Sequence, residues 1–393
     1  MPNAVSAEPN ARWLSACYFF FFSILGLMVP YLGVFFDNRG FNAQEIGFLM
    51  AILMGTRIVA PNVWAMVADR TGMRSELVKF GSAAAAITYV SFFFDGSLTY
   101  LAISLMIYTF FWNAILAQLE VITLESLGDE SHRYGAIRSW GSVGYICLVI
   151  AAGFAIGEFG AEIVPALGMV LFIGMFICAM ALPSNRVKLS SSAPRPPLKL
   201  SSAVVWFLIS AILLQMSVGP FYGFFVLYLK QAGYSEGVAG LFVALGVVVE
   251  ILMFMLAPRL LGRFGVKLLL LVSILLTVLR WVLLAYGVDN IALLSLSQAL
   301  HAFTFGLTHA ASIQFIHRNF DIAHRSKGQA LYASLSFGLG GAIGTWISGV
   351  IWGDGSGSTH TWFFAAACAG LSLIAALAIT EPKPIIKSDS ISP

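Results

Sequence analysis

Twelve stretches of the sequence are apolar over roughly the twenty residues that an α-helix needs to cross a bilayer. They fall near 13–36, 45–67, 77–94, 98–119, 137–157, 163–182, 204–229, 237–257, 268–286, 290–316, 329–350 and 361–379. Charged residues make up 10% of the 393 positions, against about 25% in a soluble domain. A water-exposed surface cannot be built from so few, so the solvent for most of this surface is lipid. In lipid the backbone is satisfied internally by helices or closed barrels, and runs of this length predict helices. The expectation is an all-α membrane protein with 12 transmembrane helices. The polar start, Met1 to Arg12, leads into an apolar run longer than a signal peptide's core of about 7–15 residues. That run is expected to be retained as the first span.

Basic residues set the orientation. With both termini on one side, eighteen of the 22 Lys and Arg residues fall on that side. Arg39 and Lys230 fall on the other, and Arg57 and Arg280 lie inside spans. Both termini are therefore expected in the cytoplasm. The segment 183–203 is basic and rich in Ser and Pro, which predicts a linker. It separates residues 1–182 from 204–393, six spans each. The halves repeat at an offset of 193: Gly40 with Gly233, Gly47 with Gly240, Arg57 with Glu250, Arg70 with Arg263, Gly72 with Gly265, Arg74 with Lys267, and Gly135 with Gly328. Such parallel repeats predict two pseudo-symmetric six-helix bundles.

Small residues at spacing four, Ser336, Gly340, Gly344 and Ser348, suit close helix packing. The four cysteines are far apart and form no C-x-x-C pair, which argues against disulfides and metal sites. No phosphate-binding or dinucleotide motif is present. Neither a cofactor nor ATP hydrolysis is expected, and no nucleic-acid partner. The partners are a small-molecule substrate, protons and the bilayer.

Ionisable side chains at mid-bilayer cost roughly 2.5–3.5 kcal/mol each on insertion scales, so they mark a cavity or pair with one another. Arg57 and Glu120 stand in the N-terminal half, and Glu250, Arg280, His301 and His309 in the other. Gln298 shares a helix face with His301. Arg57 suits a substrate carboxylate, held by bidentate hydrogen bonds, or an ion pair with Glu120. Glu250 and Arg280 suit either a proton site or a static ion pair. His301 and His309 suit a relay or neutral interhelical bonds. Asn113, Gln118, Gln215 and Gln314 are further polar candidates. Most of the aromatic residues suit contact with lipid.

Asp69-Arg70-Thr71-Gly72-Met73-Arg74 resembles the D-R-x-G-R-R signature of major facilitator carriers, with Ala65 in place of a leading Gly and Met73 in place of a basic residue. YGAIRSWGSVG (134–144), LGVVVE (245–250), LRW (279–281) and QALHAFTFGLTH (298–309) resemble the phenylpropionic acid permease family. That family is close to the lactose permease and nucleoside–proton symporter groups. The resemblance implies the major facilitator fold and assigns Asp69, Arg70, Gly72, Arg74 and Arg138 to the gating machinery. It implies proton coupling through Glu250, Arg280, His301 and His309, with Glu250 the carrier, although no acidic residue follows His301 by one turn. Because the first and seventh spans line the cavity in that fold, Tyr18, Phe22 and Tyr222 join Arg57, Glu120 and Gln298 as substrate-site candidates. The expected activity is proton-coupled uptake of a small aromatic acid such as phenylpropionate by a monomer in a bacterial inner membrane. Symport of a neutral sugar or nucleoside, and proton-driven efflux, are the alternatives.

Overall fold

In the computed structural model, residues 7–94, 96–183 and 200–380 are described. Twelve helices run back and forth. In the first half they are α1 (Ala7–Asn38), α2 (Ala43–Thr71), α3 (Arg74–Tyr89, extended by a 3-10 turn), α4 (Leu98–Leu127), α5 (Glu130–Phe159) and α6 (Val164–Met180). In the second they are α7 (Ser202–Gln231), α8 (Glu236–Phe264), α9 (Val266–Gly287), α10 (Ile291–Asn319), α11 (Arg325–Trp352) and α12 (Ser358–Leu377). Eleven are long and apolar enough to cross a membrane. The other is α3, whose first turns carry Arg74, Glu76 and Lys79. The expected linker 183–203, with Arg186, Lys188, Arg195 and Lys199, lies outside the described residues except for its ends, as do Lys383 and Lys387.

The repeat is visible in the helix ends. Asn42 caps α2 and Ser235 caps α8; Ser97 caps α4 and Asn290 caps α10. Each uses a side-chain oxygen to accept an otherwise orphaned backbone N–H, and each pair is 193 residues apart. Gly40 and Gly233 turn the chain with φ of 83° and 87°, and Gly72 and Gly265 with 67° and 77°, a region where glycine meets no steric cost. Asn38 donates to Glu162 at 3.2 Å, and at the matching positions Gln231 donates to the Gly355 carbonyl at 3.0 Å. A set of six helices is thus built twice on one plan.

The two bundles meet along α2–α11, α5–α8 and α1–α7. Glycine makes these seams close. A Cβ added at Gly47 lies 2.9 Å from Cα of Gly349, and one at Gly240 lies 2.5 Å from the Val149 carbonyl oxygen and 2.6 Å from the Tyr31 hydroxyl. These contacts lie toward the face opposite the termini. On the terminus-bearing side of the bundle centre, Glu120 and Arg138 keep 41% and 29% of their side-chain surface exposed. The bundles are closest toward one face, and the other, where Glu120 and Arg138 are part-exposed, is the more open. Regular α-helix gives way at Asn113 and Ala114 in α4 and in π-helical turns at Ala302–Leu307 of α10 and Ala333–Gly340 of α11. Such interruptions recur at functional sites.

Candidate functional site

Arg57 and Glu250 each occupy the fifteenth of 29 residues in α2 and α8, the mid-depth of the bundle. Around Glu250 the C-terminal half builds a chain of hydrogen bonds. Glu250 Oε2 lies 3.0 Å from His301 Nε2, His301 Nδ1 lies 3.0 Å from an Arg280 guanidinium nitrogen, and Arg280 donates to Gln298 Oε1 at 3.5 Å. Guanidinium has donors and no acceptor. His301 Nδ1 must therefore be unprotonated, Nε2 carries the proton, and the ring donates to the Glu250 carboxylate. His301 is a neutral bridge whose tautomer is dictated by Arg280. The direct Glu250–Arg280 ion pair considered from sequence is replaced by this relay, because α10 places the imidazole between them.

Arg280 has no exposed surface. Its guanidinium lies 4.7 Å from the Phe221 ring centroid and 4.3 Å from that of Trp281, where cation–π attraction offsets part of its lost hydration. Trp281 is held in turn by its indole N–H donating to Ser217 at 3.1 Å. A stack of rings continues along α10: Phe221 to His301 at 5.7 Å, His301 to Phe305 at 6.1 Å and Phe305 to His309 at 5.7 Å. His309 is bonded to neither Glu250 nor Arg138 but lies within electrostatic reach of both, and its Nδ1 is buried without a partner among the described residues.

Arg57 is different. Among the described residues it has no hydrogen-bond or ion-pair partner, and its side chain is partly exposed. Its electrostatic neighbours are the hydroxyls of Tyr222 on α7, Tyr108 on α4 and Tyr145 on α5. Tyr145 and Tyr222 also sense Glu250, so the two mid-depth charges have two tyrosines as common neighbours.

A second cluster lies nearer the open face. Arg138 Nε is 3.9 Å from Glu120 Oε1, and its guanidinium sits 4.0 Å from the Phe22 ring centroid and 5.4 Å from that of Tyr18. Tyr18 shares a hydrogen bond with Thr123 at 3.2 Å. Gly141 leaves room for this stack, since a Cβ there would lie 2.6 Å from Phe22 and 2.9 Å from Arg138. The Arg57–Glu120 pair considered from sequence is not formed. Glu120 is seven residues from the end of α4, about 10 Å nearer the open face than its midpoint, and meets Arg138 instead. Arg138, grouped from sequence with the gating loop, packs on Tyr18 and Phe22, because it leaves α5 on the face turned toward α1.

The 69–74 loop contributes no side chain to either cluster, although it reaches α4 close to Glu120. Gly72 ends α2, and Arg74 joins Asp69 at 2.8 Å and Gln118 of α4 at 2.8 Å, while Arg70 is exposed. Asn113 donates to Thr56 at 3.0 Å, and Gln215 is buried in the C-terminal bundle. Sequence reasoning passed over Tyr108, Tyr145 and Phe305, and left Phe221 among the rings that suit lipid. Tyr108 had a signal: the 193 offset carries it onto His301.

The profile of the MFS_1 like family matches residues 11–364. The chain belongs to that family. Its relatives include the "Probable 3-phenylpropionic acid transporter" of Escherichia coli (strain K12), 25% identical over 87% of this chain and 91% of that one. The "Maltose permease" of Geobacillus stearothermophilus is 24% identical over 93% of both chains. The solved nucleoside transporter NupG, as its D323A mutant, superposes with a TM-score of 0.84 at 19% identity, covering 94% of this chain and all of that one. The likeness establishes the major facilitator fold. With that fold and membership of the MFS_1 like family, the chain is a secondary transporter of the major facilitator type and not an enzyme.

Proposed function

We propose that this carrier moves a small organic anion together with a proton by alternating access, and that the anion is a carboxylate bearing an aromatic ring. The observation that carries the reading is the solitary guanidinium of Arg57. A mid-membrane cation with no counter-ion is costly, and a substrate carboxylate removes that cost through charge-assisted, bidentate hydrogen bonds. The ring stack Phe221–His301–Phe305–His309 supplies an apolar wall for an aromatic group. Arg138, Phe22 and Tyr18 would line the route from the open face.

Proton coupling is assigned to Glu250. His301 is already committed as a neutral donor, so the carboxylate is the group with room for another proton. Arg280 and Gln298 hold His301 in place, and His309 lies within electrostatic reach of Glu250. Burial favours the neutral form of a carboxylate and a nearby cation the charged form; a cycle that alternates these surroundings takes up and releases one proton. We further propose that residues 1–182 and 204–393 move as two bodies about the 183–203 linker. The protein would be a monomer in a bacterial inner membrane, with its termini in the cytoplasm and the open face inward.

A neutral sugar or nucleoside is the second reading, supported by the maltose permease and by the "Putative nucleoside transporter YegT" of Escherichia coli (strain K12) among the relatives. Uptake into proteoliposomes under an imposed pH gradient separates them. Aromatic acids should accumulate, while sugars, nucleosides and the amides of the same acids should not. Accumulation of the neutral compounds alone would reverse the assignment.

A further inference from the structure

An open groove of about 510 Å³ runs between the first turns of α1 and α5. Its rim carries Arg12 and Arg133; its walls are Ser15, Phe19, Phe20 and Trp140. Trp140 is half exposed and begins a stripe of α5 that continues through Val143 and Phe154, both 42% exposed or more. That stripe faces lipid, so the groove opens to the bilayer at the edge farther from Arg12 and Arg133. Trp13, 41% exposed, stands beside Arg12. Tryptophan at this level marks the headgroup boundary of a membrane protein.

Charge decides what can occupy the groove. No carboxylate among the described residues pairs with Arg12. Arg133 is paired with Glu130 at 2.6 Å, yet both keep about half of their side-chain surface exposed, 41% and 53%. The rim is net cationic, and below it every wall residue except Ser15 is apolar. From Arg12 to Phe20 the groove descends eight helical residues, about 12 Å, which spans a headgroup, a glycerol unit and the first carbons of an acyl chain. Basic pockets between transmembrane helices bind anionic lipid headgroups on this physical ground.

We propose that the α1–α5 groove is a binding site for one anionic phospholipid, with its phosphate between Arg12 and Arg133 and its upper acyl chain along Phe19, Phe20 and Trp140. The proposal rests on the transmembrane fold and not on the identity of the substrate.

The test uses the full chain in detergent, with bound lipid counted by native mass spectrometry. Phosphatidylglycerol and phosphatidylcholine of identical acyl chains are titrated in, with glycerol phosphate as the headgroup alone. The natural chain should retain phosphatidylglycerol in preference to phosphatidylcholine. Arg12→Gln with Arg133→Gln should lose that preference, by about fivefold in affinity for each arginine removed, and leave phosphatidylcholine retention unchanged. Arg259→Gln with Arg318→Gln, two exposed arginines of the other half, should keep it. Unaltered melting in phosphatidylcholine shows that the variants are folded, and Arg12→Gln alone serves if the double variant is not. Equal retention of both lipids by the natural chain overturns the proposal, as does undiminished phosphatidylglycerol retention by the Arg12/Arg133 variant. Displacement of the lipid by equimolar glycerol phosphate assigns the site to a free phosphate and overturns it too.

Discussion

Arg57 and Glu250 hold the same place in the two halves of the molecule: the midpoint of helices that repeat 193 residues apart, with opposite charge. The offset also carries Tyr108 onto His301, so a cation beside a phenol faces a carboxylate beside an imidazole. Tyr145 lies within electrostatic reach of both charges. A scaffold that is symmetric in backbone and inverted in charge offers two separate half-sites. Under the proposed function, the substrate anion neutralises one and a proton the other.

Arg57→Gln should therefore weaken binding of a carboxylate far more than of its amide. Hydrogen bonds to charged groups contribute about 1.5–3 kcal/mol, which corresponds to a loss of roughly 10- to 150-fold. Calorimetric titration of the acid and the amide measures the difference. Equal losses for both would assign Arg57 a structural role.

His301 should be neutral and protonated on Nε2, since Arg280 can only donate to Nδ1. The ¹⁵N shifts of the His301 ring report this directly, and Glu250→Gln, which leaves the Arg280 donor in place, should keep the same tautomer. A ring protonated on Nδ1 in the natural chain would remove the bridge from the account.

The spans and their twofold repeat are legible in the sequence because the bilayer fixes the length of an apolar helix and because cap and turn residues such as Asn42, Ser235, Gly72 and Gly265 recur at one spacing. The mid-membrane charges stand out for the same reason: hydrocarbon tolerates few. Their partners are not legible. Whether Glu250 meets Arg280 or His301 depends on how three helices are rotated about their axes, and a shift of one residue turns a side chain by about 100°. Glu120 pairs with Arg138 rather than Arg57 because depth along α4 decides it. Tyr145 had no signal among so many aromatic residues, since lipid-facing and cavity-facing rings look alike in a linear chain.

The glycine seam toward the face where the bundles are closest makes a mechanical prediction. Gly240→Val places branched carbon where the Val149 carbonyl and the Tyr31 hydroxyl already lie within 2.6 Å of a Cβ, so α5 and α8 cannot close. Spin labels at Asp37 and Asp289, on that face of the two halves, should move apart, and transport should fall while the protein still inserts. An unchanged distance distribution would show that the seam is not what holds the bundles together there.

The assignment of the proton to Glu250 is met most directly by accumulation under an imposed pH gradient in proteoliposomes, comparing the natural chain with Glu250→Gln. The natural chain should concentrate the anion inside; Glu250→Gln should fail to concentrate it, yet still exchange labelled for unlabelled substrate at equal pH. Gradient-driven accumulation by Glu250→Gln would contradict the account.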